Sequence, residues 1–320
     1  MSRTVVVTDY TFPDVASEER AARDAGAIFA AHQCKTGADV AEAVAGADVV
    51  AVQFAPFGEQ AAKAVAPGAT VIRYGVGYDN IDLAAAKAAG LKVGYVPDYC
   101  ADEVADHTAA AALTLLRKLM PLDASVRAGE WAAVKHARPI KPFSETVFGF
   151  FGMGQIGRAV HARLKGFGFS FIAADPALSP GDAAALGVET VDADTLLARA
   201  DIVSLHAPST PATTGFFDAE RLARMQPSAM IVNSARGQLI VEDDLAAALK
   251  AGTLAGAALD VFCSEPLPAD SPLRDAPNLL LTPHAAWYSD AAIGRLQGLV
   301  AEDIARALRG EGPRKPVRMN

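Results

Sequence analysis

The sequence predicts an α/β protein built from two doubly wound parallel-sheet domains, and three observations carry that prediction. Short runs rich in Val, Ile and Phe alternate along the chain with alanine-rich stretches of helical character, the rhythm of βαβ units. At 320 residues the chain exceeds what one core usually fills, so two domains are expected. A glycine-punctuated turn, Gly152-Met153-Gly154-Gln155-Ile156-Gly157, follows one apolar run and opens one helical stretch, the order used at the first crossover of a doubly wound sheet.

In the first hundred residues the expected strands are Thr4 to Thr8, Ala27 to Ala31, Val49 to Gln53, Val71 to Tyr74 and Lys92 to Tyr95. Between them lie helical segments such as ASEERAARDAG, which stops at a glycine suited to a left-handed helix end. A long helix is expected from Ala101 to about Met120, its first turn carrying Asp102 and Glu103 where the helix dipole favours acids. The segment ASVRAGEWAAVKHARPIKPFSET breaks the rhythm with Gly, Trp and Pro and reads as irregular. A second strand series follows: Val147 to Phe151, Ser170 to Ala174, Ile202 to His206, Met230 to Ser234, Gly256 to Val261 and Leu279 to Thr282. A final helix from about Ser289 to Arg309 has no strand after it, so it is expected to pack back on the first domain.

Composition narrows the function classes. Hydrophobic residues make up 51 % and charged residues 21 %, as in a globular protein rather than a disordered one. No apolar run reaches the roughly 18 residues a spanning helix needs, and MSRTVVVTDY does not open as a signal peptide does, so a cytoplasmic protein without membrane contact is expected. A net charge of -8 leaves no footprint for nucleic acid. The basic cluster Arg314 to Arg318 lies in a Gly- and Pro-punctuated tail read as solvated. Cys34, Cys100 and Cys263 have no C-x-x-C spacing and read as reduced thiols, and no metal is expected.

The glycine turn has the requirements of a pyrophosphate cradle. Gly152 permits the tight turn, Gly154 lets the backbone approach a diphosphate, Gly157 allows close helix packing, and the helix N-terminus faces the negative charge, with Gln155 and Ile156 of the same turn also expected at the cofactor. The next strand ends at Asp175, eighteen residues beyond Gly157, where a carboxylate accepts hydrogen bonds from adenosine ribose. That carboxylate repels a 2′-phosphate, and the following PALSPG has no Arg or Lys to receive one, so NAD is expected over NADP.

Ligands of open α/β sheets lie beyond the carboxyl ends of the strands. Arg236 follows MIVNSA, Glu265 follows AALDVF, and His284 follows LLLTP. Singly these could be a surface ion pair, a helix-cap acid and a strand-end histidine. Together, after consecutive strands, they supply a planar cation for a carboxylate, a proton donor for a carbonyl oxygen, and an acid that favours the imidazolium.

These residues sit in a wider pattern. FGMGQIG, ADP, LHAPST, NSARGQLIVEDDL, GAALDVFCSEPL and LTPHAAW, with YGVGYDNID and VPDYCADEVADHT upstream, resemble the D-isomer-specific 2-hydroxyacid dehydrogenases over nearly the whole chain. The phosphoglycerate dehydrogenase and C-terminal-binding-protein corepressor branches are the most similar, the latter through HAAWYS. The resemblance implies a Rossmann NAD-binding domain, 101–286, inserted into a flavodoxin-like substrate domain of 1–100 and 287–320. It implies Arg236, Glu265 and His284 as catalytic; Thr108, His206, Ala207, Pro208, Ala235 and Asp260 against the cofactor, Asp260 at the nicotinamide carboxamide; and Val76 and Gly77 as backbone donors to substrate. It also implies a homodimer formed through the long helix and the segment after it.

The phosphoglycerate dehydrogenase branch carries Arg and Ser where this chain has Gln53 and Phe54, whereas Arg73 matches its second phosphate-binding arginine. Formate dehydrogenases carry glutamine where Glu265 stands, which argues against that activity. Trp287 and Tyr288 either wall the substrate pocket or staple the last helix. The expected activity is NAD-dependent reduction of a small 2-keto acid, with glyoxylate, hydroxypyruvate and phosphohydroxypyruvate as candidates. The alternative is an NAD(H)-sensing binding protein like the corepressors.

Overall fold

The computed structural model describes residues 2–319. The chain divides into two compact units, one comprising the residues up to Cys100 and those from Ser289 onward, the other Ala101–Tyr288.

The first unit holds strands β1 (Thr4–Val7), β2 (Ile28–Ala31), β3 (Val49–Val52), β4 (Thr70–Arg73) and β5 (Lys92–Tyr95). They lie in the order β2-β1-β3-β4-β5, every neighbour parallel, which is the flavodoxin-like order. β3 reads Val-Val-Ala-Val and is buried at every position, as a strand covered on both faces must be. The helices Ala16–Asp24 and Asp290–Leu308 pack on one another. The second starts where the Ser289 hydroxyl accepts from the Ala292 N–H, an N-cap that satisfies an orphan donor.

The basic tail departs from the solvated terminus expected of it. Gly94 and Pro316 form an antiparallel bridge, Tyr95 N–H donates to Lys315 O (3.1 Å) and Val317 N–H to Val93 O (2.8 Å). The edge of β5 is thereby covered, which relieves exposed backbone donors and acceptors. Gly94 makes the approach possible, because a Cβ there would lie 2.4 Å from Pro313 Cβ.

Between those two packed helices sits Glu18, with no exposed surface. Tyr74 Oη donates to its Oε1 (2.9 Å) and Gln297 Nε2 approaches its Oε2 (3.4 Å). Burial outweighs these hydrogen bonds and pushes the carboxyl up to about 7. The folded state then binds the Glu18 proton more tightly than the unfolded chain does. The associated stability is present below the ordinary pKa of 4.5 and is lost as pH rises through about 7. Glu18→Gln is therefore expected to stabilise this unit at pH 8, by on the order of 3 kcal/mol, and to be near neutral at pH 4.5. Urea unfolding at the two pH values checks this, and equal midpoints at pH 8 would contradict it.

The second unit holds β6 (Val147–Phe151), β7 (Ser170–Ala174), β8 (Val188–Thr190), β9 (Ile202–Leu205), β10 (Met230–Asn233), β11 (Gly256–Leu259) and β12 (Leu279–Leu281). Their order, β12-β11-β10-β9-β6-β7-β8, is parallel throughout. Read from β8 it is the Rossmann order with one added strand, and its switch point falls between β6 and β9. On one face Phe148, Phe150, Val160 and Leu164 pack with Ala105, Ala109, Ala112 and Leu115 of the helix Ala101–Leu116. On the other, Leu196, Leu205, Ile231, Leu245 and Leu249 form a second core.

Two sequence expectations change here. The edge strand β8 is additional to the strands expected from the sequence. The long helix ends at Leu116 rather than near Met120, because Lys118 turns left-handed at φ 54°; a new helix, Leu119–Arg127, follows, and then a short one, Ala133–Ala137. Pro121 fits the first turn of that new helix but would break the interior of a continuous one. Among the described residues no helix is long and apolar enough to cross a membrane.

Candidate active site

β6 runs into Gly152, whose φ of +92° suits only glycine. A Cβ on Gly152 would also lie 2.8 Å from Ala207 N, and one on Gly157 would lie 2.8 Å from Gly152 O. Gly154 differs: a Cβ there would meet nothing within 4 Å, so the bare backbone faces open space at the start of the helix Gln155–Leu164, which has no side-chain cap. Uncapped N–H groups at a helix start beside a side-chain-free approach fit a diphosphate.

Asp175, at the end of β7, accepts from Met153 N–H (2.6 Å) and Ala177 N–H (2.7 Å). It therefore anchors the glycine turn and keeps lone pairs for a ribose hydroxyl. β9 stops at Leu205, one residue short of expectation, and His206, Ala207 and Pro208 form the loop against Gly152. Burial drives the His206 imidazole down to about 3, so it is neutral, with Nε2 2.8 Å from Ser204 Oγ.

The three polar strand ends converge. β10, β11 and β12 are neighbours in the sheet, and their carboxyl ends bring Arg236, Glu265 and His284 to one edge. Glu265 Oε2 lies 2.7 Å from His284 Nδ1, and its Oε1 accepts from Phe262 N–H (3.0 Å). Burial alone would raise the Glu265 carboxyl. The His284 imidazole, the Phe262 N–H and the Arg236 charge overcome it and hold the group below the usual glutamate range. His284 itself has a left-handed backbone, φ 52°, uncommon for a side-chain-bearing residue.

Arg236 is set by its own loop. Asn233, buried at the end of β10, donates from Nδ2 to Arg236 O (2.8 Å) and accepts at Oδ1 from Ala235 N–H (3.0 Å). Gly237 follows, and a Cβ there would lie 2.0 Å from the Phe262 carbonyl carbon. The Arg236 loop thus lies directly on the loop that carries Glu265. Sequence reasoning missed Asn233 and Gly237, since their contacts with Arg236 O and Phe262 belong to the folded loops.

Thr108 is buried, donates to Val104 O (2.7 Å) and lies 2.6 Å from Ser234 Oγ, beside the loop carrying Ala235. Asp260 is buried with both carboxylate oxygens engaged, Oδ1 by Thr282 Oγ1 and Ala285 N–H, Oδ2 by Ala286 N–H. Trp287 meets Tyr288 edge-on, ring centroids 5.9 Å apart.

In the first unit, Arg73 ends β4, with its guanidinium 5.7 Å from the centre of the Phe54 ring and bonded to Tyr74 O. Val76 is exposed and Gly77 half-buried. Gln53 is turned inward, 2 % exposed, with its amide bonded to Thr11. The buried Asp9 carboxylate accepts from the N–H groups of Gln53, Phe54 and Ala55. Phe54, 41 % exposed, is the side chain this loop presents.

Residues 109–286 match the family model described as D-isomer specific 2-hydroxyacid dehydrogenase, NAD binding domain. The chain is 41 % identical over 270 residues to D-3-phosphoglycerate dehydrogenase of Mycobacterium leprae, covering 84 % of this chain and 51 % of that protein, so it spans about half of that relative's length. It is 39 % identical over 247 residues to glyoxylate reductase of Korarchaeum cryptofilum, covering 76 % and 74 % of the two chains. The fold is similar to D-lactate dehydrogenase of Aquifex aeolicus, solved with NAD and lactic acid, with a TM-score of 0.86, 25 % identity and 96 % of each chain covered.

Proposed function

The chain belongs to the D-isomer specific 2-hydroxyacid dehydrogenase family, and on that premise we propose that it reduces a small 2-keto acid to the 2-hydroxy acid with NADH. The observation that carries the reading is the 2.7 Å contact of Glu265 with His284 Nδ1 beside Arg236, at consecutive strand ends of a dinucleotide-binding sheet.

Residues Gly152 to Gly157 and Asp175 hold the cofactor, which when bound supplies the hydride. Arg236 grips the substrate carboxylate through its planar fork and polarises the adjacent carbonyl. Glu265 occupies His284 Nδ1, so the proton delivered to the carbonyl oxygen leaves from Nε2. Its retained negative charge stabilises the imidazolium before transfer, and in the oxidative direction the same nitrogen takes the hydroxyl proton.

The inward turn of Gln53 leaves no cationic or free polar side chain from that position beside Arg73. This supports an unphosphorylated acid over a phosphorylated one. NADH oxidation measured against glyoxylate, hydroxypyruvate and phosphohydroxypyruvate tests the assignment: turnover with the first two should exceed that with the third. Tight NADH binding without turnover on any acid would replace the enzyme reading with the NAD(H)-sensing one.

Asp175→Ala should lower the NADH-to-NADPH ratio of kcat/KM by about tenfold or more, because a carboxylate that repels a 2′-phosphate is gone. The variant also loses the anchor of Met153 N–H, which weakens both cofactors alike and leaves the ratio as the readout. An unchanged ratio would contradict the assignment.

The homodimer is supported by Leu119, Val126, Trp131 and Val134, each more than half exposed along one segment, with Trp131 at 93 %. Trp131→Ser is expected to shift sedimentation from dimer toward monomer. A monomeric wild-type protein at micromolar concentration would contradict the dimer.

A further inference from the structure

His107, on the helix Ala101–Leu116, takes no part in the chemistry above, yet its ring points toward the turn that carries His284. Its Nε2 lies 3.1 Å from Thr282 Oγ1, and Thr282 Oγ1 donates to Asp260 Oδ1 at 2.6 Å. Threonine has one hydroxyl proton. That proton goes to Asp260 Oδ1, so Thr282 Oγ1 receives rather than gives at its other contact, and His107 carries its proton on Nε2. The direct separation of His107 Nε2 from Asp260 Oδ1, 3.8 Å, is too long for a hydrogen bond. Thr282 is the link.

The far end of this chain is the catalytic turn. Asp260 accepts Ala285 N–H at Oδ1 (2.8 Å) and Ala286 N–H at Oδ2 (2.9 Å), and its backbone oxygen accepts His284 N–H (2.8 Å). One buried residue thus holds three successive N–H groups around His284, whose left-handed backbone persists only where its surroundings fix it. Oδ1 is shared between Thr282 and Ala285, so the direction of the Thr282 hydroxyl governs how that oxygen faces Ala285. The neighbouring Thr108 bonds Ser234, two residues before Arg236. Consecutive residues of one helix therefore brace the loops of both the proposed proton donor and the proposed carboxylate-binding arginine.

We propose that His107 is a positioning residue for the reaction: through Thr282 and Asp260 it fixes the 284–286 turn and so the aim of the His284 imidazole. The proposal rests on the enzymatic reading for its effect on rate, but the bracing of the turn can be read independently of turnover. Networks of this kind order their members cooperatively, so removing the outer donor loosens the inner acceptor.

The test compares His107→Leu, which removes the donor, with His107→Gln, whose amide nitrogen reaches a similar position, and with Thr282→Val. His107→Leu should lower kcat about tenfold while KM for NADH and for hydroxypyruvate stays within about twofold. His107→Gln should recover most of that loss. The His107→Leu and Thr282→Val double variant should lose little more than either single one, since both cut the same chain. Amide hydrogen exchange gives the second readout: Ala285 and Ala286 should exchange about tenfold faster in His107→Leu, with the 154–157 amides unchanged. Unaltered exchange at Ala285 and Ala286, a glutamine variant as impaired as leucine, or additive losses in the double variant would each overturn the proposal. If the wild-type protein turns over no 2-keto acid, the enzymatic reading fails, and the exchange experiment still decides whether His107 braces the turn.

Discussion

His284→Gln is expected to lower kcat for 2-keto acid reduction by about 10² to 10⁴-fold, the range for loss of a positioned acid or base. Glutamine can still donate to Glu265 and roughly fills the ring's space, so the loops of β11 and β12 need not move. It cannot carry a proton to the carbonyl oxygen at neutral pH. Because the proposed dinucleotide cradle, Gly152 to Gly157, follows β6 whereas His284 follows β12, the NADH dissociation constant should stay within a few-fold. Stopped-flow reduction and fluorescence titration of NADH separate the two quantities. Retention of more than a tenth of wild-type kcat would remove His284 from its role.

Arg236→Lys should lower kcat/KM for the keto acid by about 10- to 100-fold, equivalent to roughly 1.4–2.8 kcal/mol. The charge beside Glu265 is kept, so what is lost is the planar two-point grip on the carboxylate. The backbone of the loop should be unaffected, since Asn233 bonds the Arg236 carbonyl and the Ala235 N–H rather than the guanidinium. A loss confined to NADH affinity, with keto acid parameters unchanged, would mean that Arg236 serves the cofactor.

Much of this site can be read from sequence because its parts are local. A strand, a glycine turn and a helix start are contiguous, and each polar strand end sits a few residues beyond an apolar run. Parallel strands buried on both faces give runs such as the Val-Val-Ala-Val of β3, which periodicity finds easily. β8 escaped because it is three residues long with only Val188 buried. The break at Lys118 carries no Gly, and its signal is displaced to Pro121.

What stayed hidden depends on distant partners. Gln53 bonds Thr11, 42 residues away, and so a residue noted for replacing an arginine proves to be an internal strut. His107 meets Thr282 across 175 residues. The tail reads as solvated until the edge of β5 offers it hydrogen bonds. In each case the residue type is ordinary and only the fold supplies its partner.

Hydride transfer from NADH to C2 of a 2-keto acid leaves an isotopic signature that can be followed. NADH carrying deuterium at C4, each diastereomer used separately, is incubated with the protein and hydroxypyruvate or glyoxylate, and the product is read by NMR and mass spectrometry. Deuterium is expected at C2 of the 2-hydroxy acid from one diastereomer and none from the other. A product bearing only protium at C2 from both, or no product while NADH remains tightly bound, would contradict it.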